Sequence, residues 1–89
     1  MSSGKTREAI CSEVARLLRE ERVKRGLSLN SLAEKAGLSR QMVSYVEQEM
    51  RNPSLDTLLR ISEVLKTDLD KILRRARIAA TGKQRATAG

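Results

Sequence analysis

The sequence predicts an all-α fold, a compact domain of five short helices, and three observations carry that prediction. Leu29 to Val46 reads as two short helices parted by Gly37. The apolar residues are almost all aliphatic: Trp and Phe are absent, and Tyr45 is the only aromatic. Such a core suits small helices packed on one another. No stretch alternates apolar and polar residues at the period of a strand, and no internal repeat is present. A chain of 89 residues allows one domain.

The first helix is predicted from about Thr6 to Arg25, after a frayed start. Ile10, Val14, Leu17, Leu18 and Glu21 fall on one side, flanked by Arg22, while Arg16, Arg19, Glu20 and Lys24 fall on the other. Gly26 ends it, with Lys24 and Arg25 in the last turn, where the helix dipole favours cations. Ser28 is a good N-cap for the second helix, since its hydroxyl accepts from an orphan backbone N–H. Leu29, Leu32, Ala33 and Ala36 then recur at helical spacing. Gly37 enters the left-handed conformation most cheaply and stops this helix. Leu38 tucks into the core from the turn. Ser39 caps the third helix, whose inward residues are Val43 and Val46.

Pro53 cannot continue the preceding helix, and Ser54 caps the fourth. That helix reads from Leu55 to about Lys66, with Leu55, Leu58, Leu59, Ile61, Ser62 and Leu65 inward. Asp68 is the cap expected for the fifth, with Leu69, Ile72 and Leu73 inward. Residues 1–79 make the predicted domain. Small, polar and basic residues dominate beyond it, so 80–89 is read as a disordered basic tail. A solvated tail is the preferred reading there, and a phosphate-contacting arm the other.

Composition excludes several classes of chemistry. There is no His and only one Cys, so the usual metal constellations are missing and no metal or cofactor is expected. Ser-His-Asp and Cys-His catalysis are excluded with them. No cluster of acids suits general acid–base work, and no enzyme activity or small-molecule substrate is expected. Cys11 beside the first apolar stripe reads as a partly buried structural thiol. No intrachain disulfide is possible, which fits a reducing cytoplasm. No apolar run approaches a membrane span, and Met1-Ser2-Ser3-Gly4 lacks a signal-peptide apolar region. The net charge is +7, from 18 bases and 11 acids. No acid follows Asp70, and Arg74, Arg75, Arg77, Lys83 and Arg85 carry most of the excess. A basic balance fits a nucleic-acid partner but is weak evidence alone.

The third helix carries more. At about 100° per residue, Arg40, Gln41, Ser44 and Tyr45 fall within an arc of roughly 140°. Val43, Val46 and Glu47 fall on the other side. One face is therefore apolar, and the opposite face bears a guanidinium, an amide, a hydroxyl and a phenol. Arg pairs with guanine O6/N7 and Gln with adenine N6/N7. Two short helices around a Gly corner, with this face on the second, read as a helix-turn-helix.

Arg22-x-x-x-Gly26-Leu27-Ser28, Leu32-Ala33-Glu34-Lys35-Ala36-Gly37-Leu38-Ser39, Val43-Ser44-Tyr45-Val46-Glu47 and Arg51-Asn52-Pro53-Ser54-Leu55 follow in order. This series resembles the lambda-repressor-like helix-turn-helix family, the XRE or Cro/C1 type, over about Val14 to Leu73. The resemblance implies a buried ion pair between Arg22 and Glu47. It implies base reading by Arg40, Gln41, Ser44 and Tyr45; mere packing at the helix edge is the other reading of Tyr45. Phosphate contacts are expected at the N–H groups of Asn30 and Ser31, at Ser39, and at Arg51 and Asn52.

The sequence departs from the family at three places. Leu29 stands where a phosphate-touching Gln is common, and Glu49 and Lys66 stand where Gly is frequent. The implied function is sequence-specific binding of double-stranded DNA by a cytoplasmic transcriptional regulator, bacterial or phage. One short reading helix touches few base pairs, so a homodimer on a palindromic operator is expected. Helix 5, through Leu69, Ile72, Leu73 and Ile78, or the segment around Ile10, would form its contact. The alternative is an antitoxin or adaptor module that mainly binds a protein partner.

Overall fold

The structure, a computed structural model, describes residues 4–49 and 52–88, with side chains as far as Gly82. Five helices follow one another: α1 (Gly4–Lys24), α2 (Leu29–Ala36), α3 (Arg40–Glu47), α4 (Leu55–Val64) and α5 (Leu69–Ala88). No strand occurs among the described residues. The core is aliphatic, with Leu18, Leu32, Val43, Ile61, Leu65 and Ile72 fully enclosed. Ile10, Leu27, Leu29, Leu38 and Leu58 pack against its margin.

α1 is the central element. Glu13, Val14, Ala15, Leu17 and Leu18 are all buried, an arc of about 200° on a helical wheel. Such breadth requires neighbours on two sides, and α1 packs on α5 along one and on α3 along the other. α2 packs on α3 and α4, and α4 touches α5. The five helices thus close a ring in which α1 separates α3 from α5. Glu13 sits at the edge of the buried arc. Its carboxylate accepts from Arg16 Nε at 2.9 Å and Arg16 Nη2 at 2.6 Å, which offsets the cost of covering a charge.

Local chemistry sets the helix ends. Ser28, Ser39 and Ser54 are N-caps in extended backbone, accepting from the N–H groups of Ser31, Met42 and Thr57. Gly37 takes φ 70°, and the following Leu38 N–H donates to Ala33 O at 2.8 Å. That is the Schellman arrangement, which satisfies orphan carbonyls and reverses the chain. Asp68 caps α5 through its backbone, accepting from the N–H groups of Lys71 and Ile72.

Glu49 and Lys66 adopt left-handed φ of 60° and 54° without being glycine. Thr67 N–H donates to Ser62 O and Lys66 N–H to Glu63 O, both at 3.1 Å. The reversal after α4 is therefore the same Schellman motif, now carrying a side chain. A residue with a Cβ costs roughly 1–2 kcal/mol in this conformation. The Lys66 side chain is exposed and makes no hydrogen bond or ion pair among the described residues. Lys66→Gly is accordingly expected to stabilise the fold by about 0.5–1 kcal/mol, after the added freedom of Gly in the unfolded chain. A thermal melt several degrees above the parent checks this, and a melt at or below the parent contradicts it.

Several positions differ from the sequence expectation. α1 begins at Gly4 rather than Thr6. The boundary expected at residue 79 falls inside α5, whose backbone is helical to Ala88 where a disordered tail was expected. Ala76 and Ala80 are buried, and Ala, Arg, Lys and Gln are good helix formers. Leu69 and Ile72, expected as dimer contacts, are instead buried in the monomer, while Leu73 and Ile78 stay exposed. Leu55 and Leu59, expected inward, are exposed as well, because α4 meets the core along the narrower stripe of Thr57, Ile61 and Ser62. Cys11 is exposed rather than partly buried.

Candidate nucleic-acid interface

The candidate interface starts from the back of α3. Val43 and Val46 are buried in the common core, which turns the remaining side of this two-turn helix outward. Arg22 on α1 then fixes its far end. Arg22 Nε donates to Glu47 Oε2 at 2.7 Å and Nη2 to Oε1 at 3.0 Å. Both side chains are largely covered, at 13% and 7% exposure. The remaining nitrogen, Nη1, donates to Leu27 O at 2.8 Å. One guanidinium thus ties α1, the α1–α2 corner and the end of α3 together.

A second tie was not visible in the sequence. Ser12 Oγ donates to Glu49 Oε1 at 2.5 Å, linking the first half of α1 to the left-handed residue after α3. On the opposite flank, Arg60 of α4 holds the corner of the helix pair. Its Nη1 donates to Ala36 O at 3.4 Å, at the end of α2, and its Nε to Asp56 at 2.8 Å. The hydrogen bond with Asp56 raises the guanidinium above its ordinary pKa.

The outward face of α3 carries the four expected reading residues together. Arg40 and Gln41 are exposed, and Ser44 and Tyr45 are half-buried. The Arg40 side chain makes no hydrogen bond or ion pair among the described residues, so its forked donors face solvent. Gln41 Nε2 donates to Tyr45 Oη at 2.5 Å, and Gln48 Nε2 donates to Ser44 Oγ at 2.8 Å. Both pairs follow the one-turn spacing of a helix. Tyr45 is therefore engaged along the helix as well as packed at its edge, and Gln48 joins the polar row.

The expected phosphate contacts are less uniform. Asn30, Ser39 and Asn52 are exposed. Ser39 Oγ already accepts from Met42 N–H at 3.0 Å. Ser31 N–H donates to Ser28 Oγ at 3.0 Å, so it is not an open donor as expected; the N-cap has claimed it. The N–H groups of Leu29 and Asn30 precede the first intrahelical acceptor and remain the open donors of that terminus. The Leu29 side chain packs against the core rather than outward. Arg51 lies outside the described residues.

The four expected reading residues do not line the groove of about 670 Å³ that opens between the first half of α1, Val46, Glu49, Asn52-Pro53, Leu58 and Leu73. No grouping of acids, Cys or His suited to a metal occurs among the described residues. The polar face of α3 is instead an exposed surface on a rigid support, suited to a partner that brings its own groove.

Comparison with known proteins agrees with this geometry. A family model described as helix-turn-helix matches residues 18–72. A protein of Methanocaldococcus jannaschii, MJ1164, named as a putative HTH-type transcriptional regulatory protein, is 43% identical over 56 residues. The match covers 63% of this chain and 18% of that protein. The HTH-type transcriptional regulator SinR of Bacillus subtilis is 33% identical over 61 residues, covering 67% of this chain and 55% of SinR. The chain thus spans at most about half the length of these relatives. The crystal structure of the restriction-modification controller protein C.Esp1396I superposes with a TM-score of 0.71 at 26% identity, covering 83% of this chain and 95% of that one. The matched residues include the capped α2, the Gly37 corner, α3 and the Arg22–Glu47 brace; the chain belongs to the lambda-repressor-like, Cro/C1-type helix-turn-helix family.

Proposed function

We propose that this chain binds double-stranded DNA sequence-specifically as a transcriptional regulator, with α3 in the major groove. One observation carries the reading. α3 buries its valines and is pinned by Arg22, yet presents an unpaired Arg40 beside Gln41, Ser44 and Tyr45. In such motifs the first residues of the second helix enter the groove most deeply. Arg40 is the guanine reader, through two hydrogen bonds to O6 and N7. Gln41 and Tyr45 meet an adenine or a thymine methyl as a coupled pair. Asn30, Ser39, Arg51 and Asn52 set the register through phosphates, which carry no sequence information themselves. The relatives that are named as transcriptional regulators support this assignment.

The working form in this reading is a homodimer in the cytoplasm, spanning two half-sites about 34 Å apart. Leu73 of α5, one of the contacts that the sequence suggested, is an exposed large apolar side chain and is available for that contact. No helix among the described residues is long and apolar enough to cross a membrane. Selection from random duplexes followed by sequencing tests the whole reading. A two-fold symmetric consensus is expected, and the absence of any consensus overturns base reading. Sedimentation of the protein on that consensus should give two chains per duplex, and a one-chain particle on a non-palindromic site removes the dimer.

A further inference from the structure

α5 carries a face that neither the fold nor the reading helix uses. Leu69, Ile72, Ala76 and Ala80 point into the molecule and are buried. On the opposite side of the wheel, Lys71, Arg74, Arg75 and Ile78 fall within an arc of about 100°, with Arg77 flanking. All five are exposed. Elsewhere several arginines are neutralised: Arg16 pairs with Glu13 and Glu20, Arg22 with Glu47, Arg25 with Glu21 and Arg60 with Asp56. The side chains of Arg74, Arg75 and Arg77 make no hydrogen bond or ion pair among the described residues. Asp70 stands one turn before Arg74 and still forms no bridge with it. Lys71 reaches only Asp68, at 3.6 Å. Three unneutralised guanidiniums in four residues repel one another, and that arrangement is tolerated when a polyanion supplies the counter-charge.

The geometry points to the outward face of α5 as a second nucleic-acid surface, one that grips the phosphate backbone of a second duplex segment without reading its sequence. This deepens the proposed function, on which it rests for the identity of the polyanion. Two features favour phosphate over an acidic protein. A protein interface needs an apolar centre, and this face offers Ile78 alone, which is ordinary for a surface. Backbone binding needs only cations that displace condensed counterions. The packing argues for a second segment rather than the same one. α5 packs on α1 and α4, and α1 stands between it and α3 in the ring, so the outward face of α5 is assigned to a second segment rather than to the duplex on α3.

The test combines Arg74→Ala, Arg75→Ala and Arg77→Ala in one chain, at exposed positions where Ala favours the helix. Binding to a labelled random-sequence duplex is measured over a salt series, beside the parent and Arg40→Ala. Capture of that duplex by protein already saturated with selected operator is measured in parallel. The triple variant should lose the capture, and its log–log salt slope should fall by about 2 to 3, at about 0.9 per phosphate neutralised. Arg40→Ala should keep the capture. Equal capture and an equal slope in the triple variant overturn the proposal. So does retained duplex capture together with lost binding to polyglutamate, which would assign the face to an acidic protein. Selection without a consensus removes base reading by α3, yet the salt slope of the triple variant still decides the role of α5 independently.

Discussion

Glu47→Ala is expected to be the most damaging single change away from the apolar core. The carboxylate is 7% exposed and takes two hydrogen bonds from an Arg22 that is itself 13% exposed. Removing it leaves a covered guanidinium bonded to Leu27 O alone. Breaking one side of a covered pair costs about 3–5 kcal/mol, against about 0–1 kcal/mol for a surface pair. Small domains have roughly 5–15 kcal/mol in all, so much of the stability goes. At about 4–8 °C per kcal/mol for a domain near this size, the melting temperature should fall by more than about 12 °C. Far-UV circular dichroism during heating reads this. A second variant separates the charge from the packing. Joining Arg22→Met to Glu47→Leu should recover much of the loss, because two matched apolar groups replace a matched pair. A melt of Glu47→Ala within a degree or two of the parent contradicts a structural role for the pair.

Arg40→Ala is expected to leave the fold intact and to strike recognition. The side chain is exposed and holds nothing in place, so the melt should stay near that of the parent. On the selected operator the loss should be about 1–3 kcal/mol, roughly 5- to 150-fold in affinity. The preference at one base pair should relax in a repeated selection. Arg40→Lys keeps the charge but not the planar fork. It should recover binding to random duplex more fully than binding to operator. Fluorescence anisotropy on both duplexes separates these outcomes. An equal loss on operator and random sequence from Arg40→Ala removes the guanine contact.

Local chemistry was legible in the sequence, and long-range contact was legible only in part. Ser28, Ser39, Ser54 and Gly37 act within a turn of their own position, so residue type and spacing expose them. The polar row of α3 follows from periodicity in the same way. The Arg22–Glu47 pair spans three elements, and only the family resemblance brought the two residues together. Nothing comparable pointed to Ser12 and Glu49, although their bond ties α1 to the end of α3.

α5 illustrates the opposite limit. The composition after residue 79 lacks the apolar content that marks a folded segment, yet Ala80 is buried. α5 packs most extensively on α1, at the other end of the chain. Methyl groups contribute little to a hydropathy count, but they permit close approach of two helices. The same effect hid Glu13, whose burial depends on a neighbour that sequence spacing does not show. Leu69 and Ile72 lie inside while Leu73 and Ile78 stay outside for a related reason. A wheel gives the relative directions of side chains, and only the packed partner fixes the origin.

The three bonds of the Arg22 guanidinium also bear on how the domain comes apart. A clamp that grips a helix, a corner and the end of another helix at one point allows none of them to loosen alone. Partial opening of α3 breaks two charged hydrogen bonds at once, so it is more costly than fraying of an unpinned helix end. The amides of α3 and of the Leu27 corner are therefore expected to exchange their hydrogens with solvent at similar rates, which hydrogen-exchange measurements check.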